Sequence, residues 1–213
     1  MLRKWFDGML AAIAAFAIGV PMAEARSLEE IISSGTLKVG TYADQPPLSS
    51  LNDAGAFEGF DVDVATLLAE QMGVKLEIVP LTPDQRVPFL TSGRIDISMG
   101  ALTRTPSRAL LVDFTMPLHS EAVAVLTRED VDITTWKDLD DGAFTIAQGR
   151  GTWTADMVAS ELPAANKVMV PSGADQVAAV AQGRADAIVD VIDTFMVFTK
   201  NYPDVKFKVM DAG

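Results

Sequence analysis

The sequence predicts an α/β protein of two lobes, each a mainly parallel sheet flanked by helices. Three observations carry that expectation. Strand-like and helix-like segments alternate between residues 37 and 99, the order that builds a parallel sheet with covering helices. Gly93-Arg94-Ile95-Asp96 returns as Gly183-Arg184-Ala185-Asp186, at the same helix-to-strand junction in each half. The turn Thr103-Arg104-Thr105-Pro106-Ser107-Arg108 directly follows a strand, at the edge where such sheets bind ligands.

The chain opens as an export leader. Arg3 and Lys4 form a basic n-region, residues 9–20 an apolar run, and Ala23-Glu24-Ala25 a small-x-small cleavage site, so residues 1–25 are expected to be a signal peptide. That run is too short to span a bilayer comfortably, and no later stretch reads as a transmembrane helix. The mature protein is expected to be exported to the periplasm. A first lobe is expected over 26–127. Leu37-Lys38-Val39-Gly40 reads as its first strand, followed by a turn-rich loop over 41–55. Residues 59–72 read as an amphipathic helix: Asp61 and Asp63 suit its first turn, Val64, Leu67, Leu68 and Met72 form its apolar stripe, and Gly73 stops it. Residues 74–79 alternate as a strand, 88–92 form a helix ended by Gly93, and 95–99 make a third strand.

The second lobe is expected over 128–213, with the join near residues 127–133. Phe144-Thr145-Ile146-Ala147 reads as a strand running into Gly149-Arg150-Gly151-Thr152, with a helix over 154–162 broken by Pro163. Ser172 and Asp175 resemble an acidic capping box for a helix over 174–182. Gly183 ends that helix, and 185–191 form the next strand. A cleft between two lobes is a favoured place for a small-molecule site.

Composition narrows the chemistry. The chain has 17 basic and 29 acidic residues, a net charge of −12, and a surface of that sign repels nucleic acid and anionic lipid. There is no cysteine, so neither a disulfide nor a thiol nucleophile is available. His119 is the sole histidine, which leaves no zinc cluster and no Ser–His or Cys–His pair; no metal and no cofactor are expected.

An anion held by such a protein needs a local positive pocket, which draws attention to Arg108 and Arg86. Thr105 with Pro106 reads as a helix start, and Arg108 then falls where a capping box would place Glu or Gln. A cation there opposes the helix dipole by roughly 0.3–1 kcal/mol unless an anion sits at the helix mouth. An exposed arginine on a solvated turn is the bland alternative, and the rest of the chain favours a carboxylate-bearing ligand. Gly149-Arg150-Gly151-Thr152 lacks the Lys-Ser/Thr of a phosphate loop. It better suits a carboxylate approached by backbone N–H groups and the Thr152 hydroxyl at the next helix start. Asp61 and Asp63 look like a paired-carboxylate site, but at a helix start they suit capping and the dipole.

Several segments together resemble the family 3 bacterial extracellular solute-binding proteins, the polar amino-acid receptors of ABC transporters. They are Gly59-Phe60-Asp61-Val62-Asp63-Val64-Ala65-Thr66-Leu67-Leu68-Ala69-Glu70-Gln71-Met72, Asp84-Gln85-Arg86-Val87-Pro88-Phe89-Leu90, Ser92-Gly93-Arg94-Ile95-Asp96, the run 103–114, Lys137-Asp138-Leu139 and Gly183-Arg184-Ala185-Asp186-Ala187. The resemblance implies a two-lobe, type II periplasmic-binding-protein-like fold closing on an amino acid without catalysis, serving an inner-membrane ABC permease as a monomer. It implies that Arg108 pairs with the ligand carboxylate, with Ala101 and Thr103 beside it. Tyr42, Gln45 and Pro83 would line the first lobe's wall, and Gln148 and Thr152 the second's. Arg86 matches an arginine that reaches the side chain in acidic-amino-acid receptors.

Two departures from the family pattern stand out. Val191 falls where the family places the Asp that binds the ligand ammonium, so either Asp190 serves or recognition of the amino group is altered. The chain also stops before the family's return strand and closing helices, so the C-terminal part of that fold is expected to be missing. A periplasmic dehydratase of prephenate or arogenate on the same scaffold is the alternative, with Asp190 and Asp193 as candidate acids. The sensor lobe of a receptor is a third reading.

Overall fold

The computed structural model describes residues 25–212. The expected leader lies outside them apart from Ala25, as does Gly213. Helix α1 (Leu28–Ser34) starts with a capping box, in which the Ser27 hydroxyl accepts from Glu30 N and the Glu30 carboxylate accepts from Ser27 N. Gly35, at φ 69°, closes it and feeds β1 (Thr36–Thr41). A small antiparallel sheet follows, made of β2 (Asp44–Gln45), β3 (Ser49–Leu51) and β4 (Phe57–Glu58). Next come α2 (Phe60–Met72), β5 (Lys75–Pro80), a 3-10 turn (Pro83–Gln85), α3 (Arg86–Thr91), β6 (Ile97–Ser98) and the single turn α4 (Pro106–Ala109). Strand β1 lies between β5 and β6, parallel to both.

The second lobe holds β7 (Val123–Arg128), a 3-10 turn (Trp136–Leu139), β8 (Thr145–Gly149), α5 (Trp153–Glu161) and β9 (Asn166–Val170). It continues with α6 (Gly173–Ala181), β10 (Ala187–Val191), α7 (Ile192–Phe198) and β11 (Phe207–Asp211). Its sheet runs β11-β7-β10-β8-β9. The β10-β8-β9 part is parallel, and β7 is antiparallel to β10 and β11. The join therefore lies upstream of Val123 and not at 127/128. Sequence pattern alone misplaces it, because what assigns β7 to the second sheet is its pairing with distant residues 187–191 and 207–211.

Each face of the larger sheet has its own core. Val125, Leu139, Ile146, Val158, Leu162 and Val189 pack on one side, and Leu126, Ala147, Val177, Val180, Ile188 and Phe195 on the other. Adjacent strand residues alternate between these clusters, as the pleat requires. In the first lobe, Leu37 and Val39 of β1 and Ile31 of α1 pack against Ala65 and Ala69 of α2. This corrects part of the expected apolar stripe, of which Met72 does pack on that core. Leu67 and Leu68 are exposed, while Asp61, Ala65 and Ala69 are buried, because the helix approaches β1 closely through small side chains.

The repeated junction is one piece of hydrogen-bonding geometry built twice. Gly93 and Gly183 have φ of 65° and 71°. After them, Arg94 N and Ile95 N donate to Phe89 O, and Arg184 N and Ala185 N donate to Ala179 O. Each aspartate then pins its lobe's sheet: Asp96 Oδ2 accepts from Lys38 N at 2.7 Å, and Asp186 Oδ2 from Thr145 N at 2.8 Å. Asp96 also pairs with Arg26, its own side chain fully out of solvent. Replacing Asp96 or Asp186 by Ala should therefore destabilise the protein by about 1–3 kcal/mol each, with Asp96→Ala the larger loss. Urea midpoints check this, and equal stability to the wild type would remove the pinning role.

Candidate functional site

A cavity of about 260 Å³ lies between the lobes. Of the residues expected at the site, Tyr42, Gln45, Pro83, Arg86, Ala101, Thr103, Thr152 and Asp190 line it. Arg108 and Gln148 do not. Gln148 is fully buried in β8, where its Nε2 donates to Val189 O at 3.2 Å. Among the described residues no three His, Cys, Asp or Glu side chains gather as a metal site.

The first-lobe wall is set by Asp61. Its Oδ2 accepts from Thr41 Oγ1 at 3.2 Å and from Gly100 N at 2.7 Å, tying the end of β1 to the loop after β6. This overturns the capping expectation, since the Gly59 cap has no side-chain bond and Asp61 points inward. Beyond Gly100, at φ 77°, Ala101 sits at φ 50°, a conformation that L residues other than Gly, Asn and Asp seldom adopt. That turn aims the Gly100 and Ala101 carbonyls at Arg86.

Arg86 is almost fully buried, and carbonyls take its donors. Nε donates to Pro83 O at 2.9 Å, Nη1 to Gly100 O at 3.0 Å and Ala101 O at 3.2 Å, and Nη2 to Gly151 O at 3.1 Å. Its guanidinium lies 5.7 Å from the centre of the Tyr42 ring. Burial pushes the Tyr42 hydroxyl well above its ordinary pKa, while Arg86 and Arg108 pull against that shift.

Arg108 reaches across the cleft. Nη1 donates to Thr103 O at 2.8 Å and Nη2 to Gly151 O at 2.9 Å. Burial, and then the neighbouring Arg86 charge, lower its pKa. The expected helix-mouth anion site does not form as drawn. Thr105 does cap α4, but its hydroxyl accepts from Arg108 N at 3.3 Å, and the helix is a single turn with little dipole. Gly151 receives both arginines at φ 73°. A Cβ there would fall 2.6 Å from Asp84 Cα, so the second-lobe loop touches the first lobe at this residue.

On the second lobe, Thr152 caps α5 by accepting from Ala155 N at 3.2 Å and donates to Gly149 O at 2.9 Å. Asp190 is buried, and its oxygens already have partners. Oδ1 accepts from Thr154 Oγ1 and Val191 N, and Oδ2 from Gln176 Nε2. Burial raises its pKa against those three bonds.

Sequence reasoning missed two further carboxylates on the cavity wall, Asp44 and Glu121. Burial raises the pKa of Asp44, and the nearby Ser172 of the second lobe pulls against that rise. Glu121 stands on the segment entering β7, 3.4 Å from His119 Nε2. Burial raises its pKa most, His119 lowers it, and Asp193 and Asp190 add to the rise. An acid beside the sole histidine was the one local signal for it.

Two outcomes follow. Gly151→Ala should force the lobes apart where they touch, lowering stability by about 1–3 kcal/mol and enlarging the radius of gyration. Calorimetry and small-angle scattering check this, and unchanged values would remove Gly151 from the lobe contact. Glu121 binds its proton more tightly folded than unfolded, so its contribution to stability is full below the unfolded pKa and declines as pH rises through the folded value. Glu121→Gln should remove that decline, so the variant gains on the wild type over the pH range above the ordinary glutamate pKa. Parallel urea curves across that range would refute it.

The chain matches known proteins along nearly all of its described length. Residues 37–212 fit the model of the bacterial extracellular solute-binding proteins, family 3. A glutamine-binding protein of Geobacillus stearothermophilus is 29% identical over 87% of this chain and 71% of its own. A cyclohexadienyl dehydratase of Pseudomonas aeruginosa is 27% identical over 84% and 68%. The crystal structure of AncCDT-1, an ancestral amino acid-binding protein and precursor of cyclohexadienyl dehydratase, superposes with a TM-score of 0.78 at 34% identity, over 87% of this chain and 83% of that one. With the family model spanning both sheets and the cavity between them, this chain belongs to the bacterial extracellular solute-binding proteins, family 3.

Proposed function

We propose that this protein captures a polar amino acid between its lobes, without catalysis, and delivers it as a monomer to an inner-membrane ABC permease from the periplasm. The observation that carries this reading is a single small cavity wall bearing both signs of charge. Arg86 stands on it with Arg108 just outside, and Asp44, Glu121 and Asp190 stand on the same wall. A zwitterion needs both signs at close quarters, and neither end can be buried unpaired without large cost. Amino-acid-binding relatives support the reading.

Arg108 is proposed to hold the ligand carboxylate by exchanging a carbonyl partner for a charged one, since a charge-assisted fork is the stronger bond. Thr103 and Ala101 flank it, and Thr152 approaches from the second lobe. Tyr42, Gln45 and Arg86 form the remaining wall. Gln148 supports that wall from behind and is not proposed as a contact.

A second reading, a dehydratase on this scaffold, is favoured by two observations. Burial raises the pKa of both Glu121 and Asp190, the direction a general acid needs, and a dehydratase is among the relatives. Turnover of prephenate by the purified protein would establish it in place of transport.

Micromolar capture corresponds to about −8 kcal/mol, and removing one member of a buried charge pair commonly costs about 2–5 kcal/mol. A thermal-shift panel of the common amino acids should therefore find at least one that raises the Tm of the wild type. Arg108→Ala should abolish that shift, and retention of the full shift by the same ligand would remove Arg108 from the site.

A further inference from the structure

Resting on the proposal that an amino acid binds in this cavity, we infer that Glu121 is the residue that receives the ligand's cationic group. The cavity wall carries three carboxylates, and two are already satisfied. Asp190 accepts three internal hydrogen bonds, from Thr154, Val191 N and Gln176. Asp44 is exposed at the wall, where solvent reaches its carboxylate. Val191, next along β10, lines the cavity without any charge to offer.

Glu121 differs from both. Its side chain is 11% exposed, and its Oε1 is out of solvent with no hydrogen bond. The neighbouring His119 Nε2 comes to 3.4 Å without reaching hydrogen-bond geometry. A buried carboxylate oxygen left without a donor is costly, and an ammonium or guanidinium supplies several donors at once. The charges that act on Glu121 are His119, Asp193 and Asp190, with no arginine among them. The two acids extend a negative field at this point of the wall, which favours a cation arriving there.

Ligand cations come from two sources, the α-ammonium common to all amino acids and a charged side chain. Titration calorimetry on the full chain would compare arginine and glutamine with their des-amino analogues, and arginine with citrulline. In Glu121→Gln, whose fold is checked by circular dichroism, the best wild-type ligand should bind at least about tenfold more weakly. If the α-ammonium is the partner, the penalty for deleting the amino group shrinks in the variant. If the side chain is the partner, the penalty for citrulline shrinks instead. Either result supports the assignment. Equal affinity in the wild type and Glu121→Gln would overturn it and leave amino-acid capture standing. A wild type that binds no amino acid would overturn capture itself. Should Glu121→Gln fail to fold, Glu121→Asp, which withdraws the carboxylate by one methylene, takes its place with the same expected loss.

Discussion

The carbonyl of Gly151 receives Arg86 and Arg108 together, and the meeting of the lobes depends on that shared acceptor. Both cations come from the first lobe, and the oxygen belongs to the loop that opens α5 on the second. Two like charges would not ordinarily crowd one point. Here each guanidinium also donates to first-lobe carbonyls, Arg86 to those of Pro83, Gly100 and Ala101 and Arg108 to that of Thr103. The carbonyl dipoles spread the positive charge over a ring of oxygens, and the glycine lets the loop come close enough to join that ring.

That arrangement would let a protein of net charge −12 hold the proposed carboxylate ligand. Long-range repulsion from a dispersed acidic surface is screened by salt, whereas two partly desolvated arginines a few ångströms from a cavity act at short range. The cost is moderated because carbonyls, and not carboxylates, hold the arginines. A carboxylate partner would neutralise the positive wall, while a carbonyl leaves its full charge in place. The acids are kept apart from it in a different way. Asp190 accepts three hydrogen bonds from neutral donors, and Glu121 is approached by the histidine.

Backbone geometry links the fold to this wall. Asp61 on α2 reaches Gly100 N, the loop turns through Ala101 at positive φ, and the carbonyls so exposed are the ones that hold Arg86. A helix that the sequence presents as an amphipathic support is thus also the anchor of the loop that lines the cavity. Its buried face, Ala65 and Ala69 with Asp61, packs against β1, whose end Asp61 ties to that loop.

The sequence by itself determined the two α/β lobes, the paired junctions at Gly93 and Gly183, the helix caps at Thr105 and Ser172, and the resemblance to the family. The junctions and caps rest on residues within about one helical turn of one another, and the lobes and the resemblance rest on the order of such local signals along the chain. Tertiary structure alone decided that β7 belongs to the second sheet, that Leu67 and Leu68 face solvent, and that Arg86 lines the cavity with Arg108 beside it. It also decided that Glu121 joins the wall while Gln148 does not. Those outcomes turn on pairings with residues far along the chain, above all the Gly151 carbonyl. Which donors and acceptors remain available at a site is settled only after such distant partners have taken theirs.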